Sequence, residues 1–226
     1  MKYYFNKNYF DIIDNSEKAY WLGFIWADGY VCKRKRKGNH IEYDFKLSLS
    51  RIDTDHLEKF KKCLNSNHNI LFYRKNTSSF CPQNEEARLS ICNKYFGEIL
   101  YEKYGISPFR TDFSKIIEQV PEKFYIDLIR GLFDGDGSFS KYKWNNYQKL
   151  NVIFGGTESV LRFIENQISP NSTHKLYHRH KQGDKEWRTL NYSGVQQGLK
   201  ILKLLYENSS IYLNRKYQKY LEYKQQ

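Results

Sequence analysis

The sequence predicts an α+β fold made of two copies of one αββαββα unit with antiparallel sheets. Three observations carry this. First, the chain repeats itself: 19–29 (AYWLGFIWADG) resembles 127–137 (DLIRGLFDGDG), with closing glycines 108 positions apart. Shorter matches follow in the same order. NSNH at 65–68 and NSTH at 171–174 lie 106 apart, and LYE at 100–102 and 205–207, with Arg110 and Arg215, lie 105 apart. A near-constant offset over four matches indicates duplication. Second, each copy switches between helical spacing and strand-like alternation in the same order. Third, the strand-like runs are joined by short connections, which only antiparallel pairing permits.

Within the first copy, the helix that closes on Gly29 is followed by an extended segment at 41–50. A helix over 54–64 carries Leu57, Phe60 and Leu64 on one face, with Asp53 or Thr54 as N-cap. Strands at 69–75 and 87–92 and a helix over 94–104 complete it. The second copy repeats the order. After Gly137 come a strand at 149–154 and a helix over 157–168 capped by Thr157. Strands at 174–180 and 187–192 and a helix over 195–206 follow. An additional helix is read at 213–223. The segment 107–121, which holds two of the four prolines (Pro108 and Pro121), reads as the linker. The chain therefore divides into halves at 1–118 and 119–226.

Composition narrows the function. In 226 residues, Lys and Arg number 37 against 25 Asp and Glu, a net charge of +12. Such an excess points to a polyanion, nucleic acid before an acidic membrane surface. No apolar run is long enough to span a membrane, and the N-terminus lacks the pattern of a signal peptide. An intracellular protein that does not enter membranes is expected. Cys32, Cys63, Cys81 and Cys92 form no C-x-x-C pair, so zinc ribbons and disulfide frameworks are excluded as readings. His40, His56, His68, His174, His178 and His180 make no metal set. A Gly-rich phosphate loop of the G-x-x-x-x-G-K type is absent, which argues against ATP use.

The repeated helix carries the chemistry. Gly23 and Ala27, and likewise Gly131 and Gly135, are four residues apart and so share a helix face. Glycine costs about 1 kcal/mol inside a helix, and close helix–helix approach is the simplest return for it. If these faces pack together, Asp28 and Asp136 converge at the helix C-termini. Carboxylates are disfavoured there, because the helix end already carries partial negative charge. Two close anions call for a cation, and an all-oxygen donor set favours Mg²⁺ or Ca²⁺ over zinc. A divalent ion on a basic, nucleic-acid-binding surface suggests phosphodiester hydrolysis. An Asp-Gly pair can also be a mere turn, but two copies closing two small-residue helices are poorly explained that way. An EF-hand at 134–145 fails, since its sixth and twelfth positions would be Phe139 and Asn145.

Residues 21–29 and 129–137 resemble the motif that names the LAGLIDADG homing endonucleases. The second copy matches at Gly131, Leu132, Asp134, Asp136 and Gly137. The first keeps Gly23, Ile25, Ala27, Asp28 and Gly29 but has Trp26 where the motif has Asp. The resemblance implies a single-chain, two-motif enzyme whose motif helices pack at the interface and whose sheets form a saddle over double-stranded DNA. It implies that Asp28 and Asp136 bind Mg²⁺, with Mn²⁺ able to substitute and Ca²⁺ binding without cleavage. Carbonyls near Ala27 and Gly135 would help. A basic residue near the metals at the end of each half, to polarise water or stabilise developing charge, is also implied: Lys216 in the second half. In the first half Thr111 stands at that place and Arg110 is the substitute. Arg51, just after a strand, is the polar residue expected to line the pocket.

For DNA contact, the run Lys33, Arg34, Lys35, Arg36 and Lys37 and the corresponding Lys141 and Lys143 are the first candidates. Lys46, Arg74, Lys75, Arg88, Arg179 and Arg188 are strand candidates, since two-stranded ribbons fit the major groove. Binding should weaken steeply with salt. The expectation is a monomeric, site-specific, metal-dependent endodeoxyribonuclease that mobilises an intron, intein or free-standing gene. The alternative is a non-cleaving relative, an intron RNA maturase or a transcription regulator. A carboxylate-pair hydrolase acting on sugars is a remote third reading that the basic charge opposes.

Overall fold

A computed structural model of the protein describes residues 3–74, 85–110, 112–145, 147–178 and 186–224. The first half runs α1 (Ser16–Asp28), β1 (Gly29–Lys35), β2 (Ile41–Ser50), α2 (Thr54–Cys63), β3 (Ile70–Arg74), β4 (Glu85–Cys92) and α3 (Lys94–Glu98). The second runs α5 (Tyr125–Asp136), β5 (Ser138–Trp144), β6 (Tyr147–Gly156), α6 (Glu158–Ile168), β7 (Leu176–His178), β8 (Arg188–Ser193) and α7 (Val195–Tyr206), and α8 (Asn214–Lys224) follows. A short α4 (Ser114–Ile117) lies between them. The α+β class and the repeated order are those expected from the sequence.

Two antiparallel four-stranded sheets have the same order, β1-β2-β4-β3 and β5-β6-β8-β7. Alternation fixes their faces. In β2 the odd-numbered Tyr43, Phe45, Leu47 and Leu49 are buried, and the register sets Phe45 opposite Ile91 and Leu47 opposite Leu89. In β6, Leu150, Val152 and Phe154 are buried, with Val152 opposite Tyr192 and Phe154 opposite Leu190. A one-residue slip would expose every one of these side chains. Helices cover that face of each sheet, and among the described residues none lies on the other face.

α1 and α5 cross at the centre of the molecule. Their glycines work as expected. A Cβ on Gly23 would overlap the Leu128 carbonyl oxygen, and one on Gly131 would overlap the Tyr20 carbonyl oxygen. One on Gly135 would overlap the methyl of Ala27. Gly29 and Gly137 end the helices without entering the left-handed region. Their φ values are −95° and −85°, and the chain passes directly into β1 and β5. What they provide is space, against the Ile25 side chain and the Phe133 ring respectively.

Two segments depart from the sequence reading. The predicted helix over 94–104 is α3 followed by a π-type turn at Ile99–Lys103. The predicted linker at 107–121 contains α4, and Phe113, Ile116 and Val120 are buried around it. Phe113 sits between Trp26 and Phe163, with ring centroids 5.0 and 5.4 Å away. Its two prolines suggested a loop, while the apolar spacing 113, 116, 120 is helical and was the better signal.

The crossing predicts that Gly23→Ala lowers unfolding stability by at least about 2 kcal/mol, because backbone rather than a pliable side chain must give way. Urea unfolding measures this. A loss under about 0.5 kcal/mol would mean that the two helices are not in contact.

Candidate active site at the crossing of the two motif helices

Asp28 and Asp136 end the two crossing helices and are both half-buried. A Cβ on Gly135 would lie 3.2 Å from Asp28 Oδ2. The carboxylate of one helix therefore sits against the residue that precedes the carboxylate of the other. The sequence-predicted set Ala27, Asp28, Gly135 and Asp136 is thereby brought together.

A pocket flanks each aspartate. The first, about 260 Å³, is lined by Asp28, Ser48, Asp53, Glu86, Gly135 and Arg215 among others. The second, about 280 Å³, includes Trp26, Arg110, Asp136, Gly155 and Trp187. The two are related by the repeat, and each takes residues from both halves. Ser48 and Glu86 in the first pocket, and Gly155 in the second, belong to the helix-free faces of their sheets. Both carboxylates thus open toward those faces.

Two cations cap the helix ends. Lys216 Nζ donates to the carbonyls of Phe133 (2.6 Å), Asp134 (2.8 Å) and Gly137 (2.6 Å) at the end of α5. Arg110 does the same for α1, donating to Ala27 O (2.7 Å) and to Gly29 O. These cations oppose the partial negative charge that makes a helix C-terminus hostile to a carboxylate. Arg110 therefore stands in the first half where Lys216 stands in the second. Thr111 lies outside the described residues.

This geometry corrects one expected role. An ammonium has three N–H donors, and Lys216 spends all three on backbone carbonyls. It is buried, and desolvation pushes its pKa down to about 8, partly opposed by Asp134, Asp28 and Asp136. In this arrangement it anchors the end of α5 and has no hydrogen left with which to polarise water. Arg51 is the second correction. It is ion-paired to Glu85, lies 5.2 Å from the Phe72 ring centroid and is exposed, away from both pockets. Its sequence position after β2 was right for a pocket residue, but a tight turn at Arg51–Asp53 turns Asp53 inward instead.

Asp53 and Arg215 were legible only as an N-cap and a repeat match. The guanidinium of Arg215 reaches both oxygens of the buried Asp53, at 2.9 and 3.0 Å. This pair joins the start of α2 to the start of α8 across the first pocket. Asp134 was legible as a motif residue and proves to be structural. It is fully enclosed and accepts from Tyr20 Oη (2.8 Å), Tyr206 Oη (2.6 Å) and Leu213 N (2.7 Å). Tyr20 Oη also lies 3.0 Å from His56 Nε2, and burial pushes that imidazole down to about 3, so it is neutral. The network ties α1, α2, α5 and α7 together. Trp26, at the matching place in the first copy, packs edge-on against Phe113 instead.

The candidate DNA contacts divide by strand parity. Arg34, Lys46 and Arg88 are on the helix-free face of the first sheet, and Arg36 lies just beyond β1. Each has carboxylates beside it: Arg36 pairs with Glu42 (2.7 Å), Lys46 with Asp44 (3.0 Å) and Arg88 with Glu86 (2.7 Å). Lys33, Lys35, Arg74, Lys141, Lys143 and Arg188 share parity with core residues and lie on the helix side, a correction to their expected role. Lys33 is held by Glu102 at 2.6 Å and Arg188 by Glu158 at 2.7 Å. The sequence gives the alternation but not which parity faces the helices at a strand's ragged end. Lys75 and Arg179 lie outside the described residues. No helix among the described residues is long and apolar enough to cross a membrane.

No protein-family model and no curated protein matches the chain. Solved structures do. LAGLIDADG meganuclease I-AabMI bound to uncleaved DNA superposes with a TM-score of 0.59 at 13% identity, covering 93% of this chain and 89% of that one. The I-LtrWI LAGLIDADG homing endonuclease bound to target DNA gives 0.59 at 16% identity, covering 93% and 90%. Meganuclease I-SmaMI bound to uncleaveable DNA gives 0.60 at 14% identity, covering 91% and 88%. At such identities the likeness establishes the fold.

Asp28 generates a pH prediction. Burial raises its pKa from 3.8 to about 6, against the pull of Lys216, Arg110 and Arg215. A carboxyl whose folded pKa exceeds its unfolded one costs stability above the folded value, and the cost fades as pH falls from 6 toward 4. In chelator, Asp28→Asn should be more stable than the parent by roughly 2 kcal/mol at pH 8, with the difference shrinking at pH 4.5. Urea unfolding at the two pH values checks it. An advantage independent of pH would contradict the buried-charge account.

Proposed function

We propose that this chain, which has the fold of the LAGLIDADG homing endonucleases, is a monomeric, site-specific endodeoxyribonuclease. It would make a metal-dependent double-strand break that mobilises an intron, intein or free-standing gene. The observation that carries the reading is the convergence of Asp28 and Asp136 at one helix crossing, with their pockets open to the helix-free faces of both sheets. The neighbours in DNA complexes and the net charge of +12 support double-stranded DNA as the partner.

The donor set fits Mg²⁺. Among the described residues no cluster of three His, Cys, Asp or Glu could hold a metal alone. Mg²⁺ needs none, because it is commonly held by one or two carboxylates together with waters and substrate phosphates. Asp28 and Asp136 would hold it, with the Gly135 carbonyl beside them. The Ala27 carbonyl already accepts from Arg110 and contributes less. When bound, the ion supplies activation of water and stabilisation of the leaving oxygen. Mn²⁺ is expected to substitute and Ca²⁺ to bind without cleavage.

The chain's own residues do the rest. Lys216 and Arg110 hold the two helix ends, and so fix where the carboxylates stand. The Asp134 network locks the helices that carry them. Arg215, half-exposed at the mouth of the first pocket beside Asp28, is placed to meet a phosphate oxygen, with Asp53 orienting its guanidinium.

Cleavage of a pooled duplex library in Mg²⁺, with ends mapped by sequencing, tests this. Cuts at one long sequence are expected, leaving the 3′ overhangs that the resemblance to the family implies. Asp28→Asn and Asp136→Asn should each lower the rate by about two orders of magnitude or more, with duplex affinity within about tenfold of the parent. Cutting that survives in both variants would refute the assignment.

A further inference from the structure

The helix-free faces of the two sheets are chemically unlike. On the first sheet, Arg34, Lys46 and Arg88 alternate with Glu42, Asp44 and Glu86. The cations are already aligned: Arg88 donates to Ser48 Oγ (2.9 Å) and Glu86 Oε1, and its guanidinium lies 4.6 Å from the Tyr73 ring centroid. On the second sheet the same parity selects Ser140, Tyr142, Asn151, Ile153, Thr189 and Asn191. Among the described residues of its strands, the one cation on this face is Lys149 and there is no carboxylate.

Each chemistry suits a different base pair. Arg and Lys pair with the O6 and N7 acceptors of guanine, while Asp and Glu accept from the N4 amine of cytosine. Each of the three carboxylates is ion-paired to a neighbouring cation, so it holds that cation's head group in a fixed direction, as base reading requires, and can itself accept from a cytosine amine. Asn pairs with adenine N6 and N7, and apolar groups such as Ile153 or a Thr methyl meet the thymine methyl.

The strands also set the order of contacts. Ser48 and Glu86 line the Asp28 pocket, and Gly155 lines the Asp136 pocket, so each strand runs outward from the cleavage centre. Between Ser50 and Glu42, eight residues at about 3.3 Å each span about 26 Å, or about eight base pairs at ~3.4 Å.

We propose that the two sheets read half-sites of opposite composition: a G·C-containing half-site on β1–β4 and an A·T-rich half-site on β5–β8. The inference rests on the DNA reading above but not on cleavage.

The test is enrichment of bound duplexes from a randomised pool in Ca²⁺, aligned and read for base composition about eight positions on either side of the centre. One flank should be rich in G·C and the other in A·T. Arg88→Ala should relax a G·C position near the centre by roughly tenfold in preference. Asn191→Ala with Asn151→Ala should relax positions on the A·T flank only. Equal composition on both flanks overturns the proposal, as does relaxation of the A·T flank by Arg88→Ala. Enrichment without cutting in Mg²⁺ would refute the nuclease reading while leaving this one decided. No enrichment at all would refute both.

Discussion

The contact between α1 and α5 is the constraint on which the rest of the structure depends. Gly23 lies against the Leu128 carbonyl and Gly131 against the Tyr20 carbonyl, so the two backbones touch where most helix pairs are separated by side chains. Several consequences follow from that one approach. The helix C-termini arrive together, and Asp28 and Asp136 with them. The strands that follow directly, β1 and β5, leave the crossing on either side, which sets the positions of both sheets. The repeat is thereby turned into a pseudo-symmetric site that neither copy could form alone.

Bringing two carboxylates to two helix C-termini is electrostatically costly, and the surroundings show how it is offset. Lys216 and Arg110 satisfy the terminal carbonyls with charged donors. Asp134 is buried among two tyrosine hydroxyls and a backbone amide, so that its charge is met by hydrogen bonds. Asp28 has no such complete set. Burial raises the pKa of Asp28 as it raises that of Asp134, so it is the missing hydrogen-bond partners and not the shift that set Asp28 apart.

Much of this was legible in the sequence, for physical reasons that can be named. The duplication, the Gly/Ala spacing and the paired Asp-Gly ends are local patterns, and they led to the crossing and to both aspartates. Strands such as β2 were clear because their alternation is long and uninterrupted. Three things were not legible. The donor count of Lys216 depends on which carbonyls surround it, which only the folded arrangement decides. The choice of Asp53 over Arg51 at the pocket depends on a single tight turn. The side of the sheet that Arg74, Lys141 and Arg188 occupy depends on where helices cover strand ends, and strand periodicity is blind to that. The Arg110 substitution, in contrast, followed from the resemblance and the repeat together: the resemblance asks for a basic residue, the offset sets Thr111 opposite Lys216, and Arg110 is the cation beside it.

The central claim is that Asp28 and Asp136 together make one divalent-ion site, and terbium luminescence tests it most directly. Tb³⁺ is a hard, oxygen-seeking ion, and Trp26 and Trp187 line the pocket that holds Asp136, close enough to sensitise it. In the presence of duplex DNA, the native chain should give tryptophan-sensitised emission that Mg²⁺ competes away. Asp28→Asn combined with Asp136→Asn should abolish it. Undiminished emission from the double variant would contradict the account, because the ion would then be held somewhere other than at the meeting of the two helices.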